Sequence, residues 1–222
     1  MTSKSIYDQV EAPVGVIGSG SFGTAVANLL SKNRKVILFA RKPEVVDQIN
    51  SNHHHYGVDL PSNIVATHEL EHIAKQCNIL FPVVPSSNFR RMMKDLAPFL
   101  HPYHILIHGT KGLDLSLPEG HTLDDNIPFT RSNIKTMSEV IAEESISVRV
   151  GCLAGPNLAK EILENQPAAT VIASHFDEVI EIGQRLLRTD RFQVYGNNDL
   201  IGIELAGVLK RLQRIHEAVA LD

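Results

Sequence analysis

The sequence predicts an α/β protein built on a doubly wound, mostly parallel sheet, with a long helix at its C-terminal end. Short apolar runs alternate with helical patterns along most of the chain, which is typical of parallel strands joined by helices. The run at residues 78–84 is almost uninterrupted in apolar character, as expected for a parallel strand buried on both faces. A turn that contains three glycines follows the first run, Val14 to Ile17.

Apolar spacing and turn residues place each element in order. The predicted strands cover residues 14–17, 35–39, 63–66, 78–84, 103–108, 148–153, 169–173 and 192–195. The predicted helices cover residues 25–31, 43–49, 69–75, 86–96, 137–144, 158–164, 177–188 and 199–221. We expect Ser86 or Ser87 to cap the fourth helix, and a loop or insertion between residues 113 and 135, where periodicity is lost.

Composition limits the class of protein. The chain has 222 residues, 43% hydrophobic and 21% charged, which is enough for one large domain or one and a half small ones. Its formal net charge is −4 with no long run of one sign, so neither nucleic acid nor a membrane surface is an expected partner. The first twelve residues hold no apolar signal core and no segment is long enough to span a bilayer, which favours a cytoplasmic location.

Cysteine and histidine patterns argue against a metal site. Cys77 and Cys152 lie far apart within apolar stretches, so we expect buried free thiols in a reducing compartment. The triplet at residues 53–55 consists of histidines, but adjacent side chains point in different directions and rarely converge on one ion. We interpret this triplet as a polar surface loop and predict no bound metal.

The three glycines, Gly18, Gly20 and Gly23, have the spacing of a dinucleotide-binding turn in a Rossmann-type domain. The first glycine permits the turn, the second lets the backbone approach a pyrophosphate, and the third lets the helix pack close to the strand. The amide groups at the start of the helix would then face the anion. A purely steric need for glycine at a strand-to-helix turn is the alternative.

The second strand ends in Arg41 and Lys42, where an acidic residue normally holds the ribose 2′-hydroxyl of NAD. Two cations at this position could hold a 2′-phosphate instead. We therefore favour NADP(H) as the cofactor and keep NAD(H) as a possibility. Two exposed cations on a loop without any ligand are the alternative.

Two lysines are candidates for chemistry. Lys111 lies among small residues at the carboxyl end of a central strand, where open α/β sheets bind ligands, although a solvated loop lysine is equally compatible. Lys210 lies within the apolar stripe of the last helix, where a lysine usually extends its amine to water. If Lys210 instead faces the nicotinamide end of the sheet, it is a candidate proton donor.

Seven stretches in one order resemble the NAD(P)-dependent glycerol-3-phosphate dehydrogenase family, over about residues 13–210. They are Gly-Ser-Gly-Ser-Phe-Gly-Thr-Ala at 18–25, Val-Pro-Ser at 84–86, Thr-Lys-Gly at 110–112, Met-Ser-Glu-Val-Ile at 137–141, Ala-Gly-Pro-Asn-Leu-Ala-Lys-Glu at 154–161, Phe-Gln-Val-Tyr at 192–195 and Asp-Leu-Ile-Gly-Ile-Glu-Leu-Ala-Gly-Val-Leu-Lys at 199–210.

The resemblance implies reduction of dihydroxyacetone phosphate to sn-glycerol 3-phosphate by reversible hydride transfer, a step that supplies glycerophospholipid synthesis. It assigns catalysis to Lys210 and Lys111, with both lysines also at the substrate. It also assigns Gly155 and Asn157 to the substrate and Ser21, Phe22, Arg41, Lys111 and Ala159 to the cofactor. The glycine turn and the end of the second strand add Gly18, Gly20, Gly23 and Lys42 to the expected cofactor site.

The resemblance also divides the chain. Residues 1–12 are a polar N-terminal extension, residues 13–198 the NAD(P)-binding domain, and residues 199–222 the truncated start of a helical substrate domain. The apolar stripe of the last helix makes a homodimer possible. Two alternatives stay open: an inactive NADP(H)-binding fragment or paralogue that lacks the substrate domain, and a phosphogluconate or hydroxyacid dehydrogenase that shares only the Rossmann half.

Overall fold

A computed structural model describes residues 12–115, 130–156 and 158–219, with side chains described as far as residue 209. Twelve strands are present in this part of the chain. They are β1 (Val14–Ile17), β2 (Val36–Phe39), β3 (His54–His55), β4 (Val58–Asp59), β5 (Ile64–Thr67), β6 (Ile79–Pro82), β7 (Ile105–His108), β8 (Asp114–Leu115), β9 (Ile134–Lys135), β10 (Arg149–Ala154), β11 (Ala168–Ser174) and β12 (Phe192–Asn197).

Eight helices accompany the strands in the described residues. They are α1 (Ser21–Leu30), α2 (Pro43–Asn52), α3 (Leu70–Gln76), α4 (Ser86–Leu96), α5 (Met137–Glu144), α6 (Ala159–Leu163), α7 (Asp177–Leu187) and α8 (Leu200–Val219). Every helix expected from the sequence is present with small differences at its ends. Pro85 is the N-cap of α4 and no side chain caps it, so the expected serine cap is wrong because Ser86 and Ser87 already belong to the helix.

The central sheet has eight strands in the order β12-β11-β10-β7-β6-β1-β2-β5. Six neighbouring strands, from β10 to β5, are parallel, which confirms the doubly wound α/β prediction. The chain adds β2 and β5 on one side of β1 and β6 and β7 on the other, so the strand order reverses at β1. Because β1, β2, β6 and β7 are parallel, their carboxyl ends lie at the same edge of the sheet. Ligand sites of open α/β sheets lie at such an edge.

Strands β11 and β12 run against the other six, because β10 and β11 pair antiparallel. A parallel pair would need a crossover that carries the chain back along the sheet. The one helix described between them, α6, has five residues and spans about 7.5 Å, whereas the six residues of β10 extend about 20 Å. The sheet is therefore mostly parallel, as predicted, with one antiparallel junction between β10 and β11 that the sequence did not indicate.

The core lies on both faces of the sheet, and β7 illustrates how one strand serves both. Ile105 and Ile107 point into the larger cluster, which packs under α1, α2 and α7. Leu106 points into the second cluster, under α3, α4 and α5. Over the described residues, no helix combines the length and the apolar character required to cross a bilayer.

Two short ribbons lie beside the main sheet and replace segments expected to be loops. His54 and His55 pair with β4, and β8 pairs with β9 within the segment 113–135, of which residues 116–129 lie outside the described part. The three histidines do not form the predicted polar surface loop, because His55 is only 9% exposed.

Candidate functional site

The glycine turn between β1 and α1 requires glycine at two positions. Gly18 has φ of +121°, and a Cβ added there would lie 2.8 Å from the carbonyl oxygen of Val83. At Gly23 an added Cβ would lie 1.8 Å from the carbonyl oxygen of Gly18. Gly23 therefore lets α1 pack directly against the turn at Gly18. Gly18 in turn packs against Val83, the residue that follows β6.

Gly20 differs from the other two glycines, because a Cβ added there would meet nothing within 4 Å. Its φ of −71° is open to any residue, so the protein itself does not need glycine at this position. Gly20 is the N-cap of α1, no side chain caps the helix, and no acidic residue lies in its first turn. The helix start is therefore open to an anion, as the dinucleotide interpretation requires.

Arg41 and Lys42 lie at the carboxyl end of β2, beside this turn. The amide of Gly18 donates to the carbonyl of Phe39 over 3.2 Å, so the two strand ends are in contact. Both basic side chains are exposed, and Lys42 is the N-cap of α2. The structure thus brings the two cations to the same edge of the sheet as the glycine turn.

Lys111 follows β7 and is held across the sheet edge. Its Nζ donates to the carbonyl of Gly155 over 2.8 Å, and this bond joins the motif at 110–112 to the motif at 154–161. Thr110 Oγ1 donates to the carbonyl of Val84 over 2.7 Å, which joins the motif at 84–86 to the same group. The ammonium of Lys111 thus lies at the ends of β7 and β10 rather than free in solvent.

Phe22 and Ala159 are both partly buried and pack against the larger core cluster near the glycine turn and α1. The Phe22 ring lies 3.0 Å from the position of a Cβ built on Gly109, so it covers the backbone just before Lys111. Ala159 begins α6, which packs against α1. Of the other predicted residues, Asn157 lies outside the described residues, and Lys210 belongs to α8 but its side chain lies outside the described part.

His55 is a residue near the site that sequence reasoning missed. Its Nε2 lies 2.9 Å from the carbonyl oxygen of Ser19, within the glycine turn. A carbonyl only accepts, so the imidazole Nε2 donates this bond. The ribbon of β3 and β4 therefore supports the turn from outside. The histidine triplet drew attention to this segment, but the sequence around it does not indicate that His55 is buried against Ser19.

A buried polar cluster is the second feature that sequence reasoning missed. His108 Nε2 lies 3.1 Å from Glu204 Oε1, the same carboxylate oxygen accepts from the amide of Ser138 over 3.1 Å, and Ser138 Oγ lies 3.2 Å from His108 Nε2. Burial opposes ionisation of Glu204, but the hydrogen bonds from His108 and Ser138 outweigh it, so the pKa of this carboxyl is below its ordinary value.

Arg90 on α4 anchors the ribbon that follows Lys111. Its guanidinium donates to Asp114 and Glu143 over 2.8 Å each and also pairs with Glu144. Burial opposes the charge, but these carboxylates raise the pKa of Arg90 above its ordinary value. Lys135 pairs with Glu143 over 2.8 Å, so both strands of the ribbon are held to α5.

No group of three or more His, Cys, Asp or Glu side chains in the described ranges could hold a metal ion. Cys77 and Cys152 are both free and buried, as expected. Burial raises the pKa of the Cys77 thiol to about 12, and burial with the nearby Glu204 charge raises that of Cys152. These thiols are therefore poor candidates for nucleophiles.

Comparison with known proteins identifies one family. The sequence model described as NAD-dependent glycerol-3-phosphate dehydrogenase N-terminus matches residues 13–180. The NAD(P)+ glycerol-3-phosphate dehydrogenase 2 of Sphingopyxis alaskensis is 35% identical over 203 residues, 90% of this chain and 56% of that protein. The enzyme of the same name from Saccharophagus degradans is 35% identical over 219 residues, 96% of this chain and 57% of that protein.

Solved structures give the same result. The glycerol-3-phosphate dehydrogenase of Coxiella burnetii superposes with a TM-score of 0.74 at 28% identity, over 88% of this chain and 57% of that one. The glycerol-3-phosphate dehydrogenase of Plasmodium falciparum has the same fold, with a TM-score of 0.78 at 22% identity over 90% of this chain and 56% of that one. The chain spans a little over half the length of the curated relatives it matches.

Proposed function

Because this chain belongs to the NAD-dependent glycerol-3-phosphate dehydrogenase family, we propose that it binds NADP(H) or NAD(H) at the glycine turn and interconverts dihydroxyacetone phosphate and sn-glycerol 3-phosphate. The observation that supports this most is the position of Lys111. Its ammonium group is bonded to Gly155 at the strand edge that also holds the glycine turn. A cation is therefore available where a ligand of this fold would bind.

The residues at the turn fit a dinucleotide. Gly20 leaves open space where a side chain would project, and the start of α1 is capped by no side chain. The amides of Ser21 and Phe22 would hold the pyrophosphate, with Gly18 and Gly23 shaping the turn. When bound, the reduced nicotinamide supplies a hydride to the substrate carbonyl carbon.

NADP(H) is the cofactor that we favour. Arg41 and Lys42 are both exposed at the end of β2, which is the position of the adenosine ribose in this fold. A guanidinium there can hold a 2′-phosphate through two parallel hydrogen bonds. Ala159 would approach the cofactor from the start of α6.

The chemical roles fall to the two lysines. Reduction of a carbonyl develops negative charge on its oxygen, and a positioned cation or acid stabilises that charge. Lys111 would supply the cation between cofactor and substrate, beside Gly155 and Asn157. Lys210 would exchange the proton with the substrate oxygen. Both assignments rest on the family motifs 110–112 and 199–210.

The end of the chain belongs to a second unit in this proposal. Residues 13–198 form the cofactor domain and residues 199–222 the beginning of a helical substrate domain. Ile201, Leu205 and Leu209 on α8 are 40%, 40% and 64% exposed, which is the surface that further helices or a second subunit would cover. Two free, buried cysteines fit a reducing compartment such as the cytosol, where glycerophospholipid precursors would be made.

The test is the loss of NADPH absorbance when dihydroxyacetone phosphate is added to the purified chain. We expect turnover that Lys210→Ala and Lys111→Ala each reduce by at least about 100-fold. Lys75→Ala is the matched control, because Lys75 is exposed on α3 and pairs only with Glu71 among the described residues. Bound NADPH without turnover would contradict the catalytic proposal and leave cofactor binding alone.

A further inference from the structure

A buried hydrogen-bonded pair, His108 and Glu204, links the strand that precedes Lys111 to the helix that contains Lys210. His108 is the last residue of β7, and its side chain is 1% exposed. Glu204 lies on α8, and its side chain is 6% exposed. Ser138, in the first turn of α5, completes the cluster by donating its amide to Glu204 over 3.1 Å. Three separate elements therefore meet at one carboxylate.

Glu204 is the last buried side chain of α8 within the described residues. Before it, Leu200 is buried and Ile203 packs against a small apolar cluster formed with Cys152, Ala154 and Ala173. After it, the side chains from Leu205 to Leu209 are half-buried or exposed. Glu204 is thus the last fully buried anchor of α8 among the side chains that the structure describes, which end at Leu209.

We propose that the cluster of His108, Ser138 and Glu204 positions the helix that carries Lys210 relative to the strand end that carries Lys111. Lys111 follows His108 by three residues. Lys210 follows Glu204 by six residues, about 9 Å along the helix axis. The bond between His108 and Glu204 therefore joins the two lysine-bearing segments at one buried contact. The catalytic part of this proposal rests on the proposed function.

The geometry suits a positioning role better than a direct chemical one. Neither side chain is accessible, so neither can touch a substrate at the sheet edge. His108 Nδ1 and Glu204 Oε2 have no hydrogen-bond partner among the described residues. The groups that face the pair are the Ser138 hydroxyl, the Cys152 thiol and the Phe89 ring, which packs edge-on against His108. A buried carboxylate is destabilising when it loses its hydrogen-bond partners, so any shift of α8 that separates Glu204 from His108 and Ser138 is unfavourable. The pair therefore favours one position of α8.

Hydrogen exchange of the full chain tests the proposal. In Glu204→Ala we expect amides from residue 204 onward in α8 to exchange at least about tenfold faster, while β1 and β6 keep their protection. His108→Leu, which removes the partner from β7, should give the same local change. Glu143→Ala is the matched control, because Glu143 pairs with Arg90 and Lys135 and none of its described ion pairs involves α8.

Glu204→Gln provides the rescue. Glutamine keeps an oxygen acceptor for Ser138 and His108, so it should restore most of the protection of α8 that alanine removes. In turnover assays, Glu204→Ala should lower kcat about tenfold or more while NADPH affinity changes less than about twofold, because only the alignment of the lysines is lost.

Two results would overturn the proposal. One is unchanged exchange of α8 in both Glu204→Ala and His108→Leu. The other is a loss of protection that spreads equally over β1, β6 and α8, which would indicate global destabilisation. A chain without any turnover would contradict the proposed function, and the exchange experiment would still decide whether the cluster positions α8.

Discussion

Gly23 and Gly20 allow the two reasons for glycine in a nucleotide-binding turn to be measured separately. In Gly23→Ala the new methyl group would lie 1.8 Å from the carbonyl oxygen of Gly18. Backbone must move by about 1.2 Å before the two atoms reach 3.0 Å, the closest approach of ordinary Cβ atoms. In Gly20→Ala the methyl group would meet nothing within 4 Å.

The magnitudes follow from these distances. Overpacking of this kind costs about 1–3 kcal/mol, and the better helix propensity of alanine returns at most about 1 kcal/mol. For a chain of this size each kcal/mol corresponds to about 2–4 °C in Tm. Gly23→Ala should therefore lower Tm by several degrees. Gly20→Ala loses a favoured N-cap residue but restricts the unfolded chain, and these terms of under about 1 kcal/mol offset each other.

The two variants should differ in stability but not in their loss of cofactor affinity. Both substitutions should weaken NADPH by at least about tenfold, Gly23→Ala by displacing the turn and Gly20→Ala by placing a methyl group where the pyrophosphate approaches. The assays are thermal unfolding without ligand and NADPH fluorescence titration. A Gly20→Ala variant with ordinary Tm and ordinary NADPH affinity would refute the assignment of this turn to the cofactor. A stable Gly23→Ala variant would refute the steric argument.

Three further predictions concern charge. Arg41→Ala should weaken NADPH much more than NADH in parallel titrations, and equal losses would contradict the assignment of a 2′-phosphate. Because the pKa of Glu204 is lowered in the folded chain, its ionised form stabilises the fold above its unfolded pKa of about 4.3 and this stabilisation is lost as pH falls through the folded pKa. Denaturant unfolding between pH 7 and 3 should therefore show wild-type stability falling more steeply below about pH 4.3 than that of Glu204→Gln, and parallel curves would refute the argument. Arg90→Gln should lower the free energy of unfolding by about 1–3 kcal/mol, because three carboxylates lose their common cation, whereas Arg91→Gln is the control at a neighbouring exposed position.

Local patterns were sufficient where a residue's role depends on its neighbours in the chain. The glycine spacing predicted the turn because the positive φ of Gly18 and the contact of Gly23 with the Gly18 carbonyl arise within a few residues. The end of β7 was a predictable place for Lys111, since carboxyl ends of parallel strands share one edge. Its bond to Gly155 was not predictable, because that bond depends on which strand lies beside β7.

The sequence by itself determined the α/β class, the positions of the main-sheet strands and of the helices, the glycine turn and the family to which the chain belongs. Only the tertiary structure decided which distant residues meet: His55 with Ser19, and His108 with Glu204. It also decided the reversed direction of β11, because α6 is too short for a crossover. Periodicity reports the face that a residue presents, but the identity of its neighbour on that face depends on strand order and helix docking.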